Sequence, residues 1–163
     1  MLNELIVLAL GFVVSFLSMP VVIQQMRKHG VSGVDIHKKN RPIVPEMGGT
    51  AVLIGLTASV VAASLLSPAR AAVFVSFLAT TLIAGAVGAL DDMKTLSAKV
   101  KPALTMLAGM PILLFGAYDP RPVFPIVGRT RLTMVYPFLI PFATAIPANA
   151  VNMMDPFNGV MSG

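Results

Sequence analysis

The sequence predicts an all-α polytopic membrane protein of about five transmembrane helices, and three observations carry that reading. Of 163 residues, 56% are hydrophobic and 12% charged, with a mean hydropathy of +0.83, which is too apolar for a water-soluble domain of this size. Five runs without a charged residue are long enough, or nearly so, to cross hydrocarbon, which takes roughly 17–25 helical residues. The basic residues behind the net charge of +5 fall in the short segments between those runs. Membrane topology explains that placement better than a nucleic-acid patch does, so no nucleic-acid partner is expected. Cysteine is absent, which excludes disulfides and leaves the redox compartment undetermined.

Taken in order, the runs are Leu5–Met26, Met47–Ala69, Ala71–Leu90, Pro102–Tyr118 and Leu132–Met154, with 22, 23, 20, 17 and 23 residues, in a single membrane domain over 1–163. The first has no basic segment ahead of it and outruns a signal-peptide core, so it reads as a retained helix with its amino end outside. The second and third have full spanning length, and the fourth is marginal. The fifth carries Pro137, Pro141 and Pro147, which predict kinks or a broken segment facing protein or a cavity. Basic residues orient the set. The first and third loops hold eight (Arg27, Lys28, Lys38, Lys39, Arg41, Lys94, Lys99, Lys101), against four opposite (Arg70, Arg121, Arg129, Arg131). That asymmetry puts the first and third loops, and the stretch 149–163, in the cytoplasm.

Three polar stretches then meet on one side. Asp91 and Asp92 close the third run, with Lys94, Lys99 and Lys101 following within nine residues. Ionisable groups at a bilayer's edge need water or a purpose, and a plain helix end with solvated charges is the simpler explanation for such a pair alone. The first loop, from Asp35 through His37, Lys38, Lys39 and Arg41 to Pro42, Pro45, Glu46, Gly48 and Gly49, offers cations for phosphates or anionic headgroups on a backbone kept extended by proline. A polybasic topology signal followed by packing glycines is the competing reading. His37 reads as a solvated loop residue, without the second His or Cys that a metal site needs. Asn149, Asn152 and Asp155 recur every three residues and share one helix face, where amide and carboxylate oxygens suit a hard cation such as Mg²⁺. Capping would explain one of those side chains, not three in register.

The segments RPIVPEMGG, GALDDMKTLSAKVK and NAVNMMDPFNGV, in this order, resemble the polyprenyl-phosphate N-acetylhexosamine-1-phosphate transferases. They look closest to the archaeal and eukaryotic UDP-GlcNAc:dolichyl-phosphate GlcNAc-1-phosphate transferases, with the bacterial phospho-MurNAc-pentapeptide type as the alternative. The resemblance implies transfer of a sugar 1-phosphate, GlcNAc-1-phosphate on the closest match, from a UDP-sugar to a polyprenyl or dolichyl phosphate. UMP is released, and the site lies on the cytoplasmic face of the cell membrane, or of the endoplasmic reticulum in a eukaryote. It implies Asp91, Asp92 and Lys101 as the catalytic set, with the acid pair as base or as the group orienting Lys101. Asn152 and Asp155 would hold Mg²⁺, with Mn²⁺ as the alternative. Asp35, Glu46, Asn149, Asn158 and Gly159 would contact substrate. UDP-sugar, lipid phosphate and membrane lipid are the implied partners, and a homodimer stays open.

The pattern departs from the family at Pro156, where glycine is usual. On the resemblance, the chain covers the amino-terminal half of a fold of roughly ten helices. A later loop Asp for the metal, and a His- or Arg-bearing loop for the sugar, would lie beyond Gly163. The 163-residue chain alone is therefore expected to be incomplete as a transferase. A remnant that still binds lipid phosphate or UDP-sugar is the alternative reading.

Overall fold

The computed structural model is all-α in its main elements, and it describes residues 2–34, 40, 43–45, 47–94, 96–126 and 128–154. In chain order these form α1 (Leu2–Lys28), β1 (Ser32–Val34), β2 (Ile43–Pro45), α2 (Gly49–Leu66), a 3₁₀ turn (Pro68–Arg70), α3 (Ala71–Met93), α4 (Val100–Leu107), α5 (Met110–Leu114), β3 (Val123–Phe124), β4 (Gly128–Arg129) and α6 (Tyr136–Met154). Among the described residues, Leu2–Lys28, Gly49–Leu66 and Pro68–Met93 are long and apolar enough to cross a membrane. Val100–Leu114 and Tyr136–Val151 are shorter apolar helices. This is the make-up of an integral membrane protein, in which helices keep every backbone hydrogen bond internal.

Packing follows the rules of lipid rather than of water. Large side chains point outward, with Phe12 71% and Leu65 75% exposed, whereas the buried positions include Ala51, Ser76, Ala108 and Ala145. Helices in hydrocarbon gain little by hiding leucines from one another, so close backbone approach between small residues holds them together. Gly55 shows how close: a Cβ there would lie 1.9 Å from Ser15 Oγ and 2.5 Å from the Gly11 carbonyl oxygen. Nearby, Ser59 Oγ donates to the Val7 carbonyl across the pair at 3.0 Å. These contacts set α1 and α2 antiparallel. Leu53 against Gly85 does the same for α2 and α3.

The segment between α1 and α2 is a hairpin. Gly30 takes φ +70°, and the N–H groups of Gly30 and Val31 donate to the carbonyls of Arg27 and Met26 at 3.3 and 3.0 Å. That glycine-terminated stop turns the chain out of the helix. β1 then pairs antiparallel with β2, Ser32 opposite Pro45 and Val34 opposite Ile43. Proline stands at the last pair, where its missing donor costs the ladder least. A second hairpin sets Val123 opposite Arg129.

One expectation about the helices is corrected. The fourth run is not one helix but two, α4 and α5, separated at Ala108–Gly109. There the N–H groups of Ala108 and Gly109 turn back to Thr105 and Met106 at 3.1 Å. Pro111, in the first turn of α5, would clash with the Leu107 carbonyl in a continuous helix. The fifth run, expected to be kinked or broken, forms one helix, Tyr136–Met154, with Pro141 and Pro147 inside it. Pro141 lies against protein, since a Cβ on Gly109 would be 3.0 Å from its Cα, a setting in which a proline's lost hydrogen bond is tolerated, whereas Pro147 is exposed. The third helix also runs past the predicted 90 to Met93, so Asp91 and Asp92 are in its last turn.

The alternation of directions sorts the connections. The β1–β2 hairpin, the α3–α4 turn and the carboxyl end of α6 lie at one end of the bundle. The Pro68–Arg70 turn lies at the other.

Candidate active site at the α3–α4 turn

Two carboxylates in the last turn of a helix stand at the negative end of its macrodipole, which disfavours them unless a cation is near. For Asp91 that cation is Lys101, one residue into α4. Lys101 Nζ donates to Asp91 Oδ2, while Leu96 N–H donates to Oδ1 at 2.9 Å. Both carboxylate oxygens are thus engaged, one pinning the turn and one holding the ammonium. The side chains are only 15% and 17% exposed, so the pair is partly shielded from water, where a charge-assisted bond counts for more than at a free surface.

Local backbone chemistry delivers Lys101 to that position. The Lys94 N–H closes α3 on the Leu90 carbonyl at 2.8 Å, and the turn reaches Ser97. Ser97 starts α4 by accepting from Val100 N–H on its hydroxyl at 3.3 Å and on its carbonyl at 3.0 Å. The Lys101 N–H joins the same Ser97 carbonyl at 3.1 Å. Asp92 is exposed beside the pair, and Lys94 is exposed as well.

The third polar stretch arrives on α6, which packs antiparallel to α4. Gly109 lies by Thr144, and Thr105 lies by Asn149. Continuing that register by one turn brings the backbone of Asn152 to the level of Lys101. Asn149 itself is used within the helix pair. Its amide Nδ2 donates to Thr105 Oγ1 at 2.7 Å and to the Ala145 carbonyl at 2.7 Å.

Of the candidate residues, the fold therefore joins Asp91, Asp92 and Lys101 in one turn and brings the α6 stretch carrying Asn149 and Asn152 to the same end. The Asn152 side chain, Asp35, Glu46, Asp155, Asn158 and Gly159 lie outside the described residues. Among the described residues no three His, Cys, Asp or Glu side chains cluster as a metal site. The oxygen donors offered by Asp92, Asn152 and Asp155 are the type a hard cation prefers. Sequence reasoning missed Thr105 and the Leu96 amide. Thr105 follows Lys101 by four residues in an apolar run, and that spacing is the signal it left.

The chain is 32% identical, over its whole length and 51% of the relative's, to a Sulfolobus acidocaldarius protein bearing the name of a UDP-N-acetylglucosamine–dolichyl-phosphate N-acetylglucosaminephosphotransferase. A Saccharolobus solfataricus protein of the same name is 27% identical over 98% of the chain and 50% of its own length. A Bacillus subtilis protein bearing the name of an undecaprenyl-phosphate N-acetylglucosaminyl 1-phosphate transferase is 27% identical over 100% and 47%. The chain spans about half the length of the curated relatives it matches. Residues 74–163, which carry the Asp91–Lys101 turn, α4 and the whole of α6, match the family described as glycosyl transferase family 4, and it is to this family that the chain belongs.

Proposed function

We propose that these residues form the phosphate-handling wall of a membrane enzyme that transfers GlcNAc-1-phosphate from UDP-GlcNAc to a polyprenyl or dolichyl phosphate. The observation that carries this reading is the Asp91–Lys101 pair, set where the family's third polar stretch arrives on α6. The relatives named for this transfer support the choice of substrates.

In the reaction, an oxygen of the lipid phosphate attacks the β-phosphorus of the UDP-sugar. The bond from that phosphorus to the oxygen bridging the two phosphates breaks, UMP leaves with the electron pair, and a lipid diphospho-sugar remains. Such displacements ask the protein mainly for positioning and charge stabilisation. Lys101 supplies a compact cation for a phosphate oxygen, and Asp91 removes its rotamer freedom in advance. Asp92, exposed next to the pair, is placed to take a proton from the lipid phosphate or to face the cation. Asn152 and Asp155 are the residues that would hold Mg²⁺, or Mn²⁺ in its place. The ion would neutralise charge building on the phosphates. Asp35, Glu46, Asn158 and Gly159 are assigned to the nucleotide and sugar. The site faces the cytoplasm on this reading, which the eight-to-four distribution of basic residues supports.

The test is made in membranes expressing the native gene, with polyprenyl phosphate, UDP-GlcNAc labelled in the sugar, and Mg²⁺. Labelled lipid appearing with an equal amount of UMP is the expected result. Lys101→Met lowers the rate about 10²–10³-fold, as losing one charge-stabilising group commonly does. Release of UDP instead of UMP would mean that sugar alone is transferred, and the proposal would fall.

A further inference from the structure

We propose that Thr105 is a positioning residue whose buried hydroxyl fixes α6 against α4 and so sets where the Asn152 turn stands relative to Lys101; this rests on the transferase reading above. Thr105 is 5% exposed. Its hydroxyl donates back to the carbonyls of Lys101 and Pro102 at 3.0 and 2.9 Å, and it accepts from Asn149 Nδ2 at 2.7 Å. One oxygen thereby joins the peptide of Lys101 to an amide one helical turn from Asn152. Asn149 cannot swing away freely, because the same Nδ2 is tethered to its own helix at Ala145.

The link is placed where slippage would matter. Below it, Gly109 and Pro141 are in backbone-to-backbone approach, and a Cβ on Gly109 would also meet Thr144 Oγ1 at 2.9 Å. That smooth contact resists separation but offers little to stop sliding. Thr105–Asn149 is a directional bond across the pair, between a half-buried donor and a buried acceptor. A displacement of about 1 Å at a reacting site can cost about 10²-fold in rate. Asn149, which the resemblance implies as a substrate contact, has its amide nitrogen engaged by Thr105 and Ala145 instead, so on this proposal Thr105 acts through the residues it holds.

The test compares Thr105→Val, which keeps the shape and removes the hydroxyl, with Thr105→Ser, which keeps the hydroxyl. The native gene product carries both, in a background without other cysteines, with spin labels at Ala98→Cys and Val151→Cys. Thr105→Val is expected to broaden or shift the label-to-label distance and to lower kcat about 10–100-fold. KM for UDP-GlcNAc should stay within about threefold, and Thr105→Ser should restore distance and kcat together. Adding Asn149→Ala to Thr105→Val should cost nothing further, as for two ends of one interaction. An unchanged distance in Thr105→Val, or a Ser variant as impaired as the Val variant, would overturn the proposal. Absence of transferase activity in the unmutated protein would instead sink the functional reading, and the label distances would still decide whether Thr105 holds the register.

Discussion

Asp91 has both oxygens engaged, one by Leu96 N–H and one by Lys101. A carboxylate so occupied is better suited to holding a cation than to accepting a proton. Groups that act as a unit show strongly non-additive losses. Lys101→Met and Asp91→Asn should each lower turnover about 10²-fold or more, and the double variant should be little worse than Lys101→Met alone. Multiplying losses in the double variant would mean that Asp91 has a separate job. Lys94→Ala is the matched control, since Lys94 is exposed at the helix end, and it should stay within about twofold. Turnover is measured against protein level in the same membranes, which separates loss of chemistry from loss of fold.

At the level of elements, the α1–α2 pair makes a sharp claim about which glycines matter. Gly55 has no room for a methyl group, whereas a Cβ on Gly88 would meet nothing within 4 Å. Gly55→Ala forces the helices apart and overpacks the seam, at a cost of about 1–3 kcal/mol. Gly88→Ala only replaces a poor helix former, and is expected to be neutral or to stabilise by up to about 1 kcal/mol. Thermal unfolding in detergent, followed by helix signal, reads both. The two glycines look alike in sequence, each inside an apolar run, and only the neighbour opposite distinguishes them. The same blindness hid the break between α4 and α5. Gly109 and Pro111 in a 17-residue run are compatible with a kinked span, and the approach of Pro141 to Gly109 is a fact of packing.

For the molecule as a whole, the first three of the five expected spans were legible because bilayer thickness fixes helix length and makes charge-free runs conspicuous. The Asp91–Lys101 turn was legible because its residues are close in sequence and ionisable. Thr105–Asn149 was not, since 44 residues separate the partners and neither is charged. The β1–β2 hairpin was hidden too, its strands being three residues each, too short for alternation to register. What sequence and structure supply jointly is the sorting of loops. Antiparallel packing of α1 on α2, α2 on α3 and α6 on α4 puts the first hairpin, the α3–α4 turn and the end of α6 together, and the proposal that this end faces the cytoplasm rests on the basic residues. Single cysteines at Ser32 and Ser97 should therefore resist a membrane-impermeant thiol reagent in intact cells and react once the membrane is opened. One at Ser67, in the turn between α2 and α3, should react from outside. If Ser97→Cys and Ser67→Cys were labelled from the same side, the helices between them would not cross the bilayer as α3 requires. If both responded in the reverse sense, the bundle would stand inverted, and a cytoplasmic nucleotide sugar could not reach the Asp91–Lys101 turn.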